Sequence, residues 1–186
     1  MRNSLRLLTL TGAATLMAAT LLPPAAAGAS SFRDEALSRL GVLEKKFVGL
    51  AEAMPAEKYT WRPGEGVRSV SEVYLHIAGA NFGMPRMIGT PPPADFNMRG
   101  YDKSTTDKAE IVKRVKASFA HVRQAIEKIS AADMDKPVKM FGRETTTRNA
   151  VLAMLEHLSE HLGQSIAYAR VNGVAPPWSQ GQRRGM

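Results

Sequence analysis

The sequence predicts an all-α domain, a four-helix bundle, and three observations carry that prediction. Four long segments repeat apolar residues at spacings of three and four, the period of a helix with one buried face. Each segment opens or closes on a capping residue or a breaker. Strand-like character is nearly absent, confined to one short stretch at residues 138–141. Four amphipathic helices with no internal repeat and little strand signal pack as a bundle.

The first predicted helix covers residues 31–54, with Leu37, Leu40, Leu43, Phe47, Leu50 and Met54 on one stripe. Pro55 ends it, and residues 56–66 form a turn-rich connection containing Pro63-Gly64. The second opens at Ser69, where Ser69-Val70-Ser71-Glu72 has the capping-box pattern. Its stripe is Val73, Ile77, Ala80, Met84 and Met87, with His76 beside it. The helix fades near Ile88-Gly89 before Pro91-Pro92-Pro93, and a loop with Asp95, Tyr101 and Asp102 leads on to Thr106.

The third helix starts at Asp107 and turns Ile111, Val115, Ser118, Val122, Ile126 and Ile129 inward. Lys108, Lys113, Arg114, Lys116, Arg123 and Lys128 lie off that face and read as solvated surface. A connection over residues 133–146 precedes the fourth helix, which starts with Thr147 as its cap. That helix stops at Gly173, a C′ residue after Asn172.

Residues 1–29 read as a secretory signal peptide. Arg2 and Arg6 precede an apolar run over 7–22, and the small residues 25–29 offer an A-x-A-like cleavage site. The run is short for a membrane span. The mature chain is therefore expected in the periplasm or outside the cell, with no membrane association after cleavage. Residues 30–179 form the bundle domain, and the polar residues 180–186 read as a disordered tail. The formal charge is +8, and removing Arg2 and Arg6 leaves +6. These cations are scattered and not interleaved with aromatics, so nucleic acid is not an expected partner. The chain has no cysteine. That excludes disulfides, a thiolate nucleophile and cysteine-ligated zinc. Any metal must be held by His, Asp or Glu.

The chemistry-bearing stretch is on the fourth helix. His157 and His161 are four apart and share a face. They form a stripe with Met154, Gln164 and Tyr168, beside an apolar stripe of Val151, Leu155, Leu158, Leu162, Ile166 and Ala169. Two such imidazoles can reach one ion beside the helix. His76, inward on a separate helix, could complete a three-histidine site in the bundle. Three neutral imidazoles plus an open position resemble a catalytic zinc arrangement, and imidazole also accepts nickel, iron or copper. The pattern is not HExxH, so a zincin-type protease is not indicated. The methionines Met84, Met87 and Met154 read as core filler, not copper ligands. His121 reads as a core or surface residue outside the site.

These motifs carry a resemblance. EVYLHIAGAN around His76, His157-x-x-x-His161-Leu162-Gly163-Gln164, the YTWRPGEGVRS stretch at 59–69 and residues 168–179 together resemble the DinB/YfiT-like family. The resemblance spans essentially the mature chain. It implies a four-helix bundle, often dimeric, with a divalent metal on His76, His157 and His161, zinc before nickel or iron. Leu162 stands where many members have arginine. It also implies two functional classes. One is an enzyme acting on a small molecule, a metal-dependent hydrolase or a thiol-dependent transferase, with Gln164, Trp61 and Asn81 as pocket or supporting residues. The other is a non-catalytic metal- or ligand-binding bundle.

Overall fold

A computed structural model describes residues 31–179, so the readings of 1–29 as a leader and 180–186 as a disordered tail lie outside the described residues. Four helices follow in order: α1 (Phe32–Ala53), α2 (Val70–Gly83), α3 (Lys108–Glu127) and α4 (Thr147–Val171). The local chemistry fixes the ends. Ser31 caps α1 by accepting from the Asp34 amide, and Asp107 caps α3 by accepting from the Glu110 amide. Ser69 and Glu72 complete the reciprocal capping box of α2. At the far end of α4, Gly173 takes φ +76°. Val174 N–H donates to the Ala169 carbonyl and Gly173 N–H to that of Arg170, a Schellman closure.

Two details differ from the sequence-based expectation. The cap of α4 is Thr146, whose side chain accepts from the Asn149 amide, and Thr147 is already helical. The reason is the hairpin before it. Strands β1 (Pro137–Met140) and β2 (Arg143–Thr146) pair antiparallel with Pro137 opposite Thr146, which holds Thr146 extended. The predicted extended piece is thus one arm of a ribbon, closed by Phe141 and Gly142 with φ of 48° and 80°.

The arrangement of the helices is diagonal. Helices α1 and α2 each pack on α3 and α4, while α1–α2 and α3–α4 make no comparable contact. Leu40, Phe47 and Leu50 of α1 meet Ile111, Val115, Phe119, Val122 and Ile126 of α3, all essentially without solvent exposure. The Phe47 and Phe119 rings lie 5.7 Å apart. Of the basic residues of α3, Lys113, Lys116 and Lys128 are exposed as expected, whereas Lys108, Arg114 and Arg123 are half-buried. Lys108 donates to the Glu52 and Met54 carbonyls at the open end of α1 (2.7 and 2.8 Å), while Lys116 reaches Glu52 and Arg123 reaches Glu44.

Helix α2 is not a one-sided amphipathic helix. Of its fourteen residues only Glu72 and His76 escape burial. One flank carries Gly79 and Gly83, and the segment from Met98 to Lys103 lies against them. A Cβ on Gly79 would stand 3.2 Å from the Tyr101 ring, and one on Gly83 would stand 2.8 Å from the Met98 methyl. The missing side chains let this strap approach the helix closely. No described helix is long and apolar enough to cross a membrane.

Candidate metal centre

The site forms where α2 and α4 face each other. His76 comes from the one interior turn of α2 that is not sealed. His157 and His161 come from consecutive turns of α4, and all three rings are half-buried. One ligand nitrogen from each falls within 4.8 Å of the other two. His76 Nε2 and His157 Nε2 are 3.2 Å apart. The ring centroids are separated by 5.2, 4.7 and 4.6 Å for the 76–157, 76–161 and 157–161 pairs, and the rings are tilted or edge-on rather than stacked.

These distances can be tested against a metal. Two nitrogens at about 2.0–2.1 Å from a tetrahedral ion lie about 3.4 Å from each other. The His76–His157 separation matches that value without rearrangement. Protonation states fit as well. Burial, the Arg68 charge and the two neighbouring imidazoles hold His76 down at about 4, and burial together with His161 holds His157 below the ordinary histidine range. His76 and His157 therefore stay neutral at pH 7 and keep lone pairs available. Among the described residues this is the one cluster of three or more His, Asp or Glu side chains whose ligand atoms converge in this way.

A hydrogen-bond chain fixes which nitrogen of His161 is free. Tyr168 Oη lies 3.1 Å from the Arg68 carbonyl, which can only accept, so the phenol donates there. The phenol must then accept from Gln164, whose Nε2 is 3.1 Å away. That turns Gln164 Oε1 toward His161 Nδ1 at 2.8 Å, and a carbonyl oxygen requires Nδ1 to carry the proton. Nε2 of His161 is left with its lone pair toward the cluster. This is the outer support that orients a ligating histidine.

The sequence-predicted residues divide clearly. His76, His157, His161 and Gln164 are brought together. Trp61 reaches the site indirectly, its ring edge-on to Tyr168 at 5.3 Å, so it anchors the connection between α1 and α2. Asn81 does not line the site. Its side chain donates to Ser118 Oγ at 3.2 Å and bridges α2 to α3 in a buried position. Five residues along a helix is a rotation to about 140° from the starting face, so the residue cannot share the side of His76. Glu156 and Glu160 are exposed. Nothing in the sequence signals Arg68, which is 100 residues from its partner Tyr168. Tyr168 itself was traceable, since it continues the His157–His161–Gln164 stripe.

A model of the DinB superfamily matches residues 39–165. Similar solved structures include a DinB-like protein from Bacillus cereus ATCC 10987, at 16% identity and TM-score 0.68, covering 76% of this chain and 93% of that one. A DinB-like protein from Bacillus subtilis is similar at 21% identity and TM-score 0.60, with coverage of 76% and 93%. YfiT from Bacillus subtilis, described as a probable metal-dependent hydrolase with an unusual four-helix bundle topology, is similar at 14% identity and TM-score 0.62, with coverage of 83% and 95%. At these identities the likeness is one of fold. No curated protein sequence matches the chain.

Proposed function

The chain belongs to the DinB superfamily, and on that premise we propose that it is a metal-dependent hydrolase holding one divalent ion on His76, His157 and His161. The observation that carries this reading is the 3.2 Å approach of two imidazole nitrogens from different helices, with a third within 4.8 Å. A bound ion supplies Lewis acidity, polarising a carbonyl or phosphoryl oxygen and making water acidic enough to ionise near neutral pH. The chain's own residues do the rest. Gln164 and Tyr168 hold His161 in the tautomer that leaves Nε2 free. The rings are half-buried, so the cluster keeps contact with solvent. A three-histidine set with an open position suits zinc first, with nickel or iron as alternatives.

The description of YfiT as a probable metal-dependent hydrolase supports hydrolysis over thiol-dependent transfer. A second reading, a non-catalytic metal- or ligand-binding bundle, is favoured by one observation: the neighbouring carboxylates Glu156 and Glu160 are exposed, so neither is held over the cluster as a base. Export through cleavage of the leader and assembly as a homodimer complete the proposal.

Metal analysis of the purified mature protein tests the site. It should give close to one ion per chain, lost in the triple His76→Ala, His157→Ala, His161→Ala variant. Unchanged metal content in that variant would overturn the assignment. A panel of ester and amide substrates, run with and without metal, separates the hydrolase from the binding module.

A further inference from the structure

The three-histidine cluster has a cation beside it. Arg68 immediately precedes the cap of α2, and its carbonyl is the terminus of the hydrogen-bond chain from His161 through Gln164 and Tyr168. Its backbone is therefore fixed relative to the site. Its side chain is not tied down in the same way. The guanidinium makes a single long ion pair, Nε to Asp102 Oδ2 at 3.7 Å, and no hydrogen bond among the described residues. Neighbouring Arg62 by contrast donates to both the Val67 carbonyl and Glu72. Arg68 is 43% exposed and Asp102 31%. The Arg68 charge bears on both His76 and His157, and Asp102 bears on His76 with the opposite sign.

A guanidinium here works against cation binding at the imidazoles, and Asp102 offsets it only in part. Arginine and a divalent ion repel each other, but together they attract an anion that spans both. A guanidinium with five N–H donors in a planar fork, most of them free, is built for oxyanions. We infer that Arg68 is the anion-binding arm of this site, gripping a carboxylate or phosphate oxygen of the substrate while the histidine cluster engages the reacting group. The substrate class is then a small anionic molecule. This inference rests on the metal reading above.

The test uses the mature chain loaded with cobalt(II), whose visible absorption reports its coordination. Cobalt affinity is measured first, then the spectrum is titrated with acetate, inorganic phosphate and neutral acetamide at fixed pH. Acetate or phosphate should shift the spectrum saturably, acetamide much more weakly, and the stronger of the two anions identifies the group. In Arg68→Ala the anion dissociation constant should rise at least about tenfold, as expected for loss of a charge-assisted pair. Cobalt should bind Arg68→Ala as tightly or more tightly, because a repelling charge has gone. Arg68→Lys should fall between the two proteins, and Asp102→Asn should bind anions at least as well as the parent. Equal anion affinity in Arg68→Ala would overturn the inference, as would a collapse of cobalt binding there, which would make Arg68 a structural prop. Absence of cobalt binding in the parent chain would remove the metal reading itself, and the anion arm with it.

Discussion

The two flanks of α2 make a useful contrast. Toward α3, the helix is closed. Asn81 bonds to Ser118, and Phe82 packs on the His121 ring at 5.7 Å. Toward α4, the same helix opens on His76, and there three imidazoles, an amide and a phenol replace apolar packing. The difference shows how one element serves two purposes. Burial on one flank holds the backbone rigid, and that rigidity sets the 3.2 Å approach of ligand nitrogens on the other. Stability should therefore be lost chiefly through the closed region and metal affinity chiefly through the open one.

The largest effect should come from the closed part of the core. Phe119 is fully buried against Phe47. Phe119→Ala should lower unfolding free energy by about 3–5 kcal/mol in denaturant titration, while the remaining folded fraction keeps the parent's metal stoichiometry. Metal loss without unfolding in that variant would break the proposed division.

A smaller effect should come from the open side. Gln164→Leu removes the acceptor that fixes the His161 tautomer. Metal affinity should fall about 10–100-fold, the usual cost of losing such a partner, with the denaturation midpoint little changed. Competition with a chromogenic chelator measures this. Tyr168→Phe should lie in the same direction but nearer the parent, because Gln164 then keeps its contact with His161 and loses only its own support.

The smallest effect sharpens the contrast through pH. In the folded metal-free protein His76 is held at about 4 and His157 is also held down, whereas unfolded histidine titrates near about 6.5. Below that value the unfolded chain takes up protons that the folded one refuses. Stability should then be flat above about pH 7 and decline as pH falls from about 6.5 toward 4. Urea midpoints across that range check it. His76→Leu should flatten the profile. An unchanged slope would shift the acid sensitivity to His121, which burial and Lys128 also hold down on the closed flank.

Much of this was legible in the sequence because it was local. Ser31, Ser69 and Asp107 cap their own helices within three residues, so the helix starts followed from residue type. The spacing of His157 and His161 put both on one face for the same reason. What escaped was non-local. The sealing of α2 depends on Met98 and Tyr101 folding back onto it. The position of the α4 cap depends on a hairpin whose second strand, Arg143–Thr146, is polar and carries no apolar alternation. Arg68 meets Tyr168 across 100 residues. Asn81, which the resemblance implies as a pocket or supporting residue, is turned by helical rotation onto the other flank, where it donates to Ser118.

The two glycines of α2 have a consequence beyond close packing. Spaced one turn apart, they form two adjoining notches: Met98 meets both and Tyr101 the first, which seats the strap along the helix. Asp102 follows Tyr101 directly and is delivered by that seating to within 3.7 Å of Arg68. The counter-ion of the Arg68 charge is thus positioned by atoms that are missing one and two turns beyond His76 on its own side of the helix.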